Sequence, residues 1–252
     1  MISPFPPDAD HRSATLDIPE TWLLPAPDAV RTAVEAQFGL LDQEEQARAE
    51  RFKRARDRGT YVVAHVGLRR LLGAHLGVSP AAVVLGRESC PRCGGPHGRP
   101  SVSASPPVHF SLSHAGDLAL VSLARQPVGV DVEEARNIRA SVDDIVPQFH
   151  PAERSLLVRM AREAREEALL SAWVRKEAYL KGLGIGLAAD LADVHTGLGD
   201  PYGSPGLTPG WSLATVAVPQ GYAAAVALRQ AADPTTTLPD RVVPRVLDVA
   251  GA

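Results

Sequence analysis

Hydrophobic positions divide the chain into stretches of period two and stretches of helical period. Val128, Val130 and Val132 alternate with Gly129, Asp131 and Glu133, the pattern of a half-buried strand with the valines on one face and both carboxylates on the other. His109-Phe110-Ser111-Leu112-Ser113-His114 alternates likewise, meets the turn Ala115-Gly116-Asp117 and returns through Leu118 to Leu123, which predicts a hairpin. WSLATVAV and GYAAAVAL, joined at Pro219-Gln220, predict a second hairpin, and Leu187 to His195 reads as a further strand. A short strand is expected near Trp22-Leu23-Leu24, within a proline-rich entry over residues 1–30. Helical spacing starts with a segment from Asp28 to about Phe38. Asp42, with Glu45 three residues on, is a cap for the next helix. Gly59 is expected to break that segment, and a further helix carries Tyr61, Val62, His65, Leu68, Leu71 and Leu72 up to Gly77. Pro151 to Lys181 is helical and splits in two; in the second helix Leu169, Trp173, Lys176 or Glu177, and Leu180 share a broad face.

Each half therefore runs helix first and hairpin second, which points to two similar lobes. The boundaries are set at residues 1–125 and 126–230, followed by a proline-containing tail, 231–252, expected to have little order. The acidic strand and the Trp173 helix then meet at the lobe boundary, a favoured place for a ligand.

Composition narrows the classes. The 252 residues are 45% hydrophobic and 22% charged, a soluble globular balance. A formal net charge of -3 argues against nucleic-acid binding by bulk electrostatics. No apolar run approaches the length of a membrane span, and the N-terminus shows no apolar signal core. Two cysteines, both in one CPRC loop, exclude a disulfide framework, so a cytoplasmic location is expected.

Several side chains could carry chemistry. Two adjacent carboxylates at Asp131 and Glu133 repel each other, so a cation between them or a raised pKa is expected; Mg2+, which takes oxygen ligands and bridges carboxylate to phosphate, suits them. The plainer alternative is two solvated acids. Arg48, Arg51, Lys53, Arg54, Arg56 and Arg58 form a basic run that reads either as a solvated helix face or as a phosphate site. Glu177 and Lys181 are spaced i,i+4 and could pair on the helix surface; alternatively Glu177 faces the two acids with an ammonium beside it. Cys90, Cys93 and His97 have the spacing of half a zinc knuckle; without its second half, residues 86–108 are read as a Gly-Pro loop. GLGIG follows a helix rather than lying between strand and helix, so a dinucleotide fingerprint is rejected.

Four stretches in order, GRP at 98–100, FSLSHAGD at 110–117, VGVDVEEAR at 128–136 and WVRKEAYLKGLGIGL at 173–187, resemble the Sfp-like 4'-phosphopantetheinyl transferases, over about Arg48 to Leu228. The resemblance implies an α+β fold of two similar lobes related by a pseudo-twofold axis, with CoA between them, in a monomer. It implies metal ligation by Asp131, Glu133 and Glu177, with Mg2+ expected and Mn2+ an alternative. It further implies CoA contacts from Ser113, His114, Asp131, Lys176 and Lys181. Arg99 stands where the family usually has lysine, and Arg48 and Arg56 match its 3'-phosphate contacts. The implied reaction moves the phosphopantetheine arm of CoA to a serine of acyl or peptidyl carrier proteins of polyketide, nonribosomal-peptide or fatty-acid synthases, with Glu177 and Lys181 catalytic. The alternative is a non-catalytic module of the same fold that binds CoA or a carrier; nucleic-acid and membrane partners are not expected.

Overall fold

A computed structural model describes residues 16, 18–139, 142–186, 189–202, 205–231 and 238–251. The first lobe contains β1 (Glu20–Pro25), α1 (Asp28–Val34) continuing as a 3-10 turn, α2 (Gln43–Glu50), α3 (Ala55–Leu76), β2 (Leu85–Arg87), β3 (Pro100–Val102), β4 (His109–Ala115) and β5 (Leu118–Ala124). The second contains β6 (Val128–Glu134), α4 (Ala135–Arg139), α5 (Val142–Ile145), α6 (Pro151–Leu157), α7 (Arg162–Leu183), β7 (His195–Gly197), β8 (Pro205–Leu207), β9 (Trp211–Val216) and β10 (Tyr222–Arg229). Two short strands, β11 (Arg241–Val242) and β12 (Arg245–Val246), follow.

The lobes repeat one plan: a strand, a 22-residue helix, then an antiparallel hairpin. Within each sheet the order is first strand, last strand, middle strand, β1-β5-β4 and β6-β10-β9. The two sheets face each other across an apolar layer in which Leu118, Leu120 and Ala124 of β5 meet Val128, Val130 and Val132 of β6. The opposite face of β5, Ala119, Val121 and Leu123, packs with α3. β6 is buried on both faces, because α7 covers the polar face expected to meet solvent. On its far side α7 packs against α4–α6 through Leu169, Ala172 and Leu180.

Local signals explain most boundaries. Asp42 and Glu45 form a reciprocal capping box at the start of α2. Gly77 ends α3 in the left-handed conformation, where only glycine escapes a steric penalty. Gly59, however, does not break the helix: the interruption falls at residues 51–54, and α3 runs through Gly59. A Cβ there would lie 2.5 Å from Arg31 Cδ, so the glycine makes room for Arg31 to reach Asp117. Residues 86–108 are a β2–β3 hairpin with a long tip rather than a plain loop. The strand expected over Leu187 to His195 is replaced by a 3-10 turn at Leu191–Asp193 and β7, with residues 187 and 188 outside the described set.

The tail is the largest departure. β12 adds parallel to β1, and β11 adds parallel to β9, so the tail extends both sheets. Leu247 and Val249 are buried in the first lobe's core, each contributing about 1.5–3 kcal/mol on full burial, and Arg70 donates to the carbonyls of Val249 and Gly251. Among the described residues no helix is long and apolar enough to cross a membrane.

Candidate active site

A missing side chain positions the site. At Gly129 a Cβ would lie 1.9 Å from the Ala178 carbonyl oxygen and 2.4 Å from the Gly182 nitrogen. Only glycine lets the α7 backbone lie against β6, and this brings Glu177 over the face that carries Asp131 and Glu133. Trp173, Glu177 and Lys181, one turn apart on α7, line a cavity of about 300 Å³ with Asp131 and Glu133 of β6 and Leu112, Ser113 and His114 of β4. The cavity lies on the seam between the lobes. There the edges of β4 and β6 run side by side, and Ser111 Oγ accepts the Val130 N–H at 3.0 Å, satisfying an edge amide.

Three carboxylates share this space with one ammonium. Lys181 Nζ donates to Asp131 Oδ1 at 2.7 Å and to Ser113 Oγ at 2.9 Å, and Ser113 Oγ donates to the same Asp131 oxygen at 2.7 Å. Lys181 thus crosses to β6 instead of pairing with Glu177 along the helix. Burial, reinforced by Asp131 and Glu133, pushes the Glu177 carboxyl up to about 7, with Lys181 opposing. Glu133 is raised by burial and then by Asp131. Asp131 Oδ2 and Glu177 Oε1 are buried without a hydrogen-bond partner among the described residues. Excess negative charge and unpartnered carboxylate oxygens fit a hard divalent cation such as Mg2+. His114, edge-on to Tyr61, is lowered to about 4 by burial first, then by His65, Lys181 and Arg48, with Asp57 opposing. Its imidazole is therefore neutral near pH 7, with one N–H to donate.

The remaining expected residues lie elsewhere. Lys176 is fully buried on the opposite side of α7: its Nζ pairs with Glu153 Oε2 at 2.6 Å, donates to the Leu191 and Val194 carbonyls, and sits over the Phe149 ring. The CoA contact implied for it is corrected here. Five residues at about 100° each separate Lys176 from Lys181, so one helix cannot aim both into one pocket. Arg99 donates to Glu88 Oε2 and to the Gly182 carbonyl, clamping the β2–β3 hairpin to the end of α7. Arg56 pairs with Asp117 at 2.8 Å beside Arg31. Arg48 is exposed, with no side-chain hydrogen bond or ion pair among the described residues, and its charge reaches His114. Sequence reasoning missed Ser111 and Leu112; the two-residue spacing of Ser111 and Ser113 on β4 was the available signal for the first.

Comparison with known proteins agrees with this architecture. The model of the 4'-phosphopantetheinyl transferase superfamily matches residues 127–227, and the 4'-phosphopantetheinyl transferase N-terminal model matches residues 26–126. The chain belongs to the 4'-phosphopantetheinyl transferase superfamily. Among its curated relatives, the 4'-phosphopantetheinyl transferase HetI of a Nostoc species is 31% identical over 214 residues, 82% of this chain and 86% of that protein. A phosphopantetheinyl transferase of a Thraustochytrium species is 30% identical, over 65% of this chain and 58% of that one. A 4'-phosphopantetheinyl transferase of Bacillus subtilis is 24% identical, over 65% and 69%.

Proposed function

We propose that this seam pocket transfers the 4'-phosphopantetheine arm of CoA to a serine of an apo acyl or peptidyl carrier protein. The observation that carries the reading is the convergence of Asp131, Glu133 and Glu177 with Lys181 and a neutral His114, in a chain of this superfamily. The carrier serine oxygen bonds to the phosphorus bearing the pantetheine arm, and the bridging P–O bond breaks. Adenosine 3',5'-bisphosphate leaves with the electron pair, and the serine proton passes to a base.

Asp131, Glu133 and Glu177 would hold Mg2+, or Mn2+, which when bound neutralises charge on the pyrophosphate. Glu177, on the pocket wall beside the other two carboxylates, is the candidate acceptor of the serine proton, directly or through a water. Lys181 spends two of its three donors on Ser113 and Asp131, leaving one N–H for the leaving phosphate. Ser113 and Asp131 hold that ammonium in place. His114 gives a neutral donor to a phosphate oxygen, and exposed Arg48 is the candidate contact for the 3'-phosphate. Arg99 spends its guanidinium on Glu88 and the Gly182 carbonyl, whereas Arg56 gives Asp117 its Nε–H and keeps terminal N–H groups that could reach CoA with that pair intact.

The experiment is chromatography of adenosine 3',5'-bisphosphate released from CoA with and without apo carrier. Release only with carrier is expected. Equal release without carrier would assign the pocket to hydrolysis instead.

A further inference from the structure

The chain's two cysteines lie together with a histidine outside the seam pocket. Cys90, Cys93 and His97 occupy the tip of the β2–β3 hairpin, and their ligand atoms all lie within 4.8 Å of one another. Cys93 Sγ is 3.0 Å from His97 Nε2. A tetrahedral Zn2+ with bonds of about 2.3 Å to sulfur and 2.05 Å to nitrogen sets ligand separations of about 3.6–3.8 Å. The three atoms therefore already bracket a coordination sphere. The exposed Cys93 and His97 need part by only about 0.6 Å to admit the ion.

The backbone is arranged for this convergence. The Cys90 N–H donates to the Gly95 carbonyl at 2.7 Å and the Gly94 N–H to the Cys90 carbonyl at 2.8 Å, closing a tight turn. Gly94 takes φ +73, and a Cβ on Gly95 would lie 3.2 Å from His97 Nε2 and 3.3 Å from Cys93 Sγ. These glycines reverse the chain and clear the space in which thiol and imidazole meet. The N–H groups of Arg92 and Cys93 donate to the Cys90 sulfur, which is itself buried. Both thiols are free rather than joined.

We propose that Cys90, Cys93 and His97 bind one Zn2+ through three protein ligands, with a fourth position facing solvent. Thiolates select a softer ion than the all-carboxylate seam pocket does, so the chain carries two sites of different metal preference. Binding releases the two thiol protons to the buffer. The role is structural. β2 and β3 are three residues each, and a two-stranded ribbon that short needs support. This hairpin also presents Arg99 to the Gly182 carbonyl, the residue after Lys181. Zn2+ at the tip fixes the clamp on the end of α7.

The test uses the full chain purified under reducing conditions without chelator. Zinc per chain is measured by elemental mass spectrometry for the wild type, for C90S/C93S and for D131N/E177Q. Metal-free protein is then titrated with Co2+ and read by the visible and thiolate-to-cobalt bands of tetrahedral coordination. Expected is about one zinc per chain in the wild type and in D131N/E177Q, loss in C90S/C93S, and a thiolate–cobalt spectrum only where both cysteines are present. Adding Zn2+ to the metal-free wild type raises Tm, and C90S/C93S shows no such rise. A folded wild type that takes up no zinc and gives no thiolate–cobalt spectrum overturns the proposal, as does zinc that persists in C90S/C93S and disappears in D131N/E177Q.

Discussion

Lys176→Met separates the structural role of this lysine from a role in CoA binding. The substitution keeps the length of the side chain but removes the ammonium that pairs with Glu153, both groups being fully buried. Among the described residues, Glu153 would retain only its bonds from the Thr196 and Gly197 N–H groups and the Thr196 hydroxyl. Breaking a buried pair from one side costs about 3–5 kcal/mol, more than the cation–π contact with Phe149 adds. At about 2–4 °C per kcal/mol for a chain of this size, Tm should fall by about 6–20 °C. K176M/E153Q removes the uncompensated charge and should recover at least half of the loss. Thermal melts followed by CoA saturation kinetics below each variant's Tm are the assay. Expected is a low Tm for K176M, partial recovery in the double variant, and a KM for CoA close to wild type in both. An unchanged Tm with a KM raised tenfold or more would refute the buried-pair reasoning and return Lys176 to the pyrophosphate.

Other consequences follow from the same geometry. Gly129→Ala drives a Cβ into the Ala178 carbonyl, so α7 must shift at a cost of about 1–3 kcal/mol or more; transfer activity should collapse while circular dichroism stays native. In metal-free protein the Glu177 carboxyl keeps its proton up to about pH 7 against an ordinary value of 4.5. Its stabilisation is full below pH 4.5 and is lost as pH rises through 7, about 3 kcal/mol in all; the wild-type stability relative to E177Q should fall across that window in urea titrations, and a flat difference would contradict it. Lys181→Ala removes the donor aimed at the leaving phosphate and should cost about 10²–10³-fold in kcat, measured at saturating CoA. Arg48 in the last turn of α2 and Arg51, Lys53 and Arg54 between α2 and α3 are exposed, so kcat/KM for an acidic carrier should fall as ionic strength rises, and salt-independent kinetics would remove charge steering.

The parts of this fold that were legible in the sequence are those set by local periodicity. Alternation at Val128–Glu133 placed both acids on one face, and the Asp42–Glu45 spacing fixed the start of α2. What covers that acidic face was not local information: it depends on Gly129 admitting the α7 backbone, and a glycine in a strand does not say what approaches it. The helix pattern likewise left Lys176 and Glu177 on one broad face. Adjacent residues are about 100° apart, and only the packing of α4–α6 turns Lys176 inward to Glu153. The two-residue strands β11 and β12 pair with partners far earlier in the chain, so no hairpin signal marks them, and the prolines around them read as disorder. Arg99 and Arg56 carried a charge pattern suited to phosphate, but their partners Glu88, Gly182 and Asp117 are brought to them by the fold.

The central claim is transfer through the acidic seam pocket, and intact-mass spectrometry of an apo carrier protein incubated with this chain, CoA and Mg2+ tests it most directly. Expected is a gain of one phosphopantetheine on the carrier serine, lost when Asp131→Ala or Glu177→Ala replaces the wild type. A folded wild type that binds CoA and leaves several unrelated apo carriers at their original mass, or a Glu177→Ala variant that transfers at the wild-type rate, would contradict it.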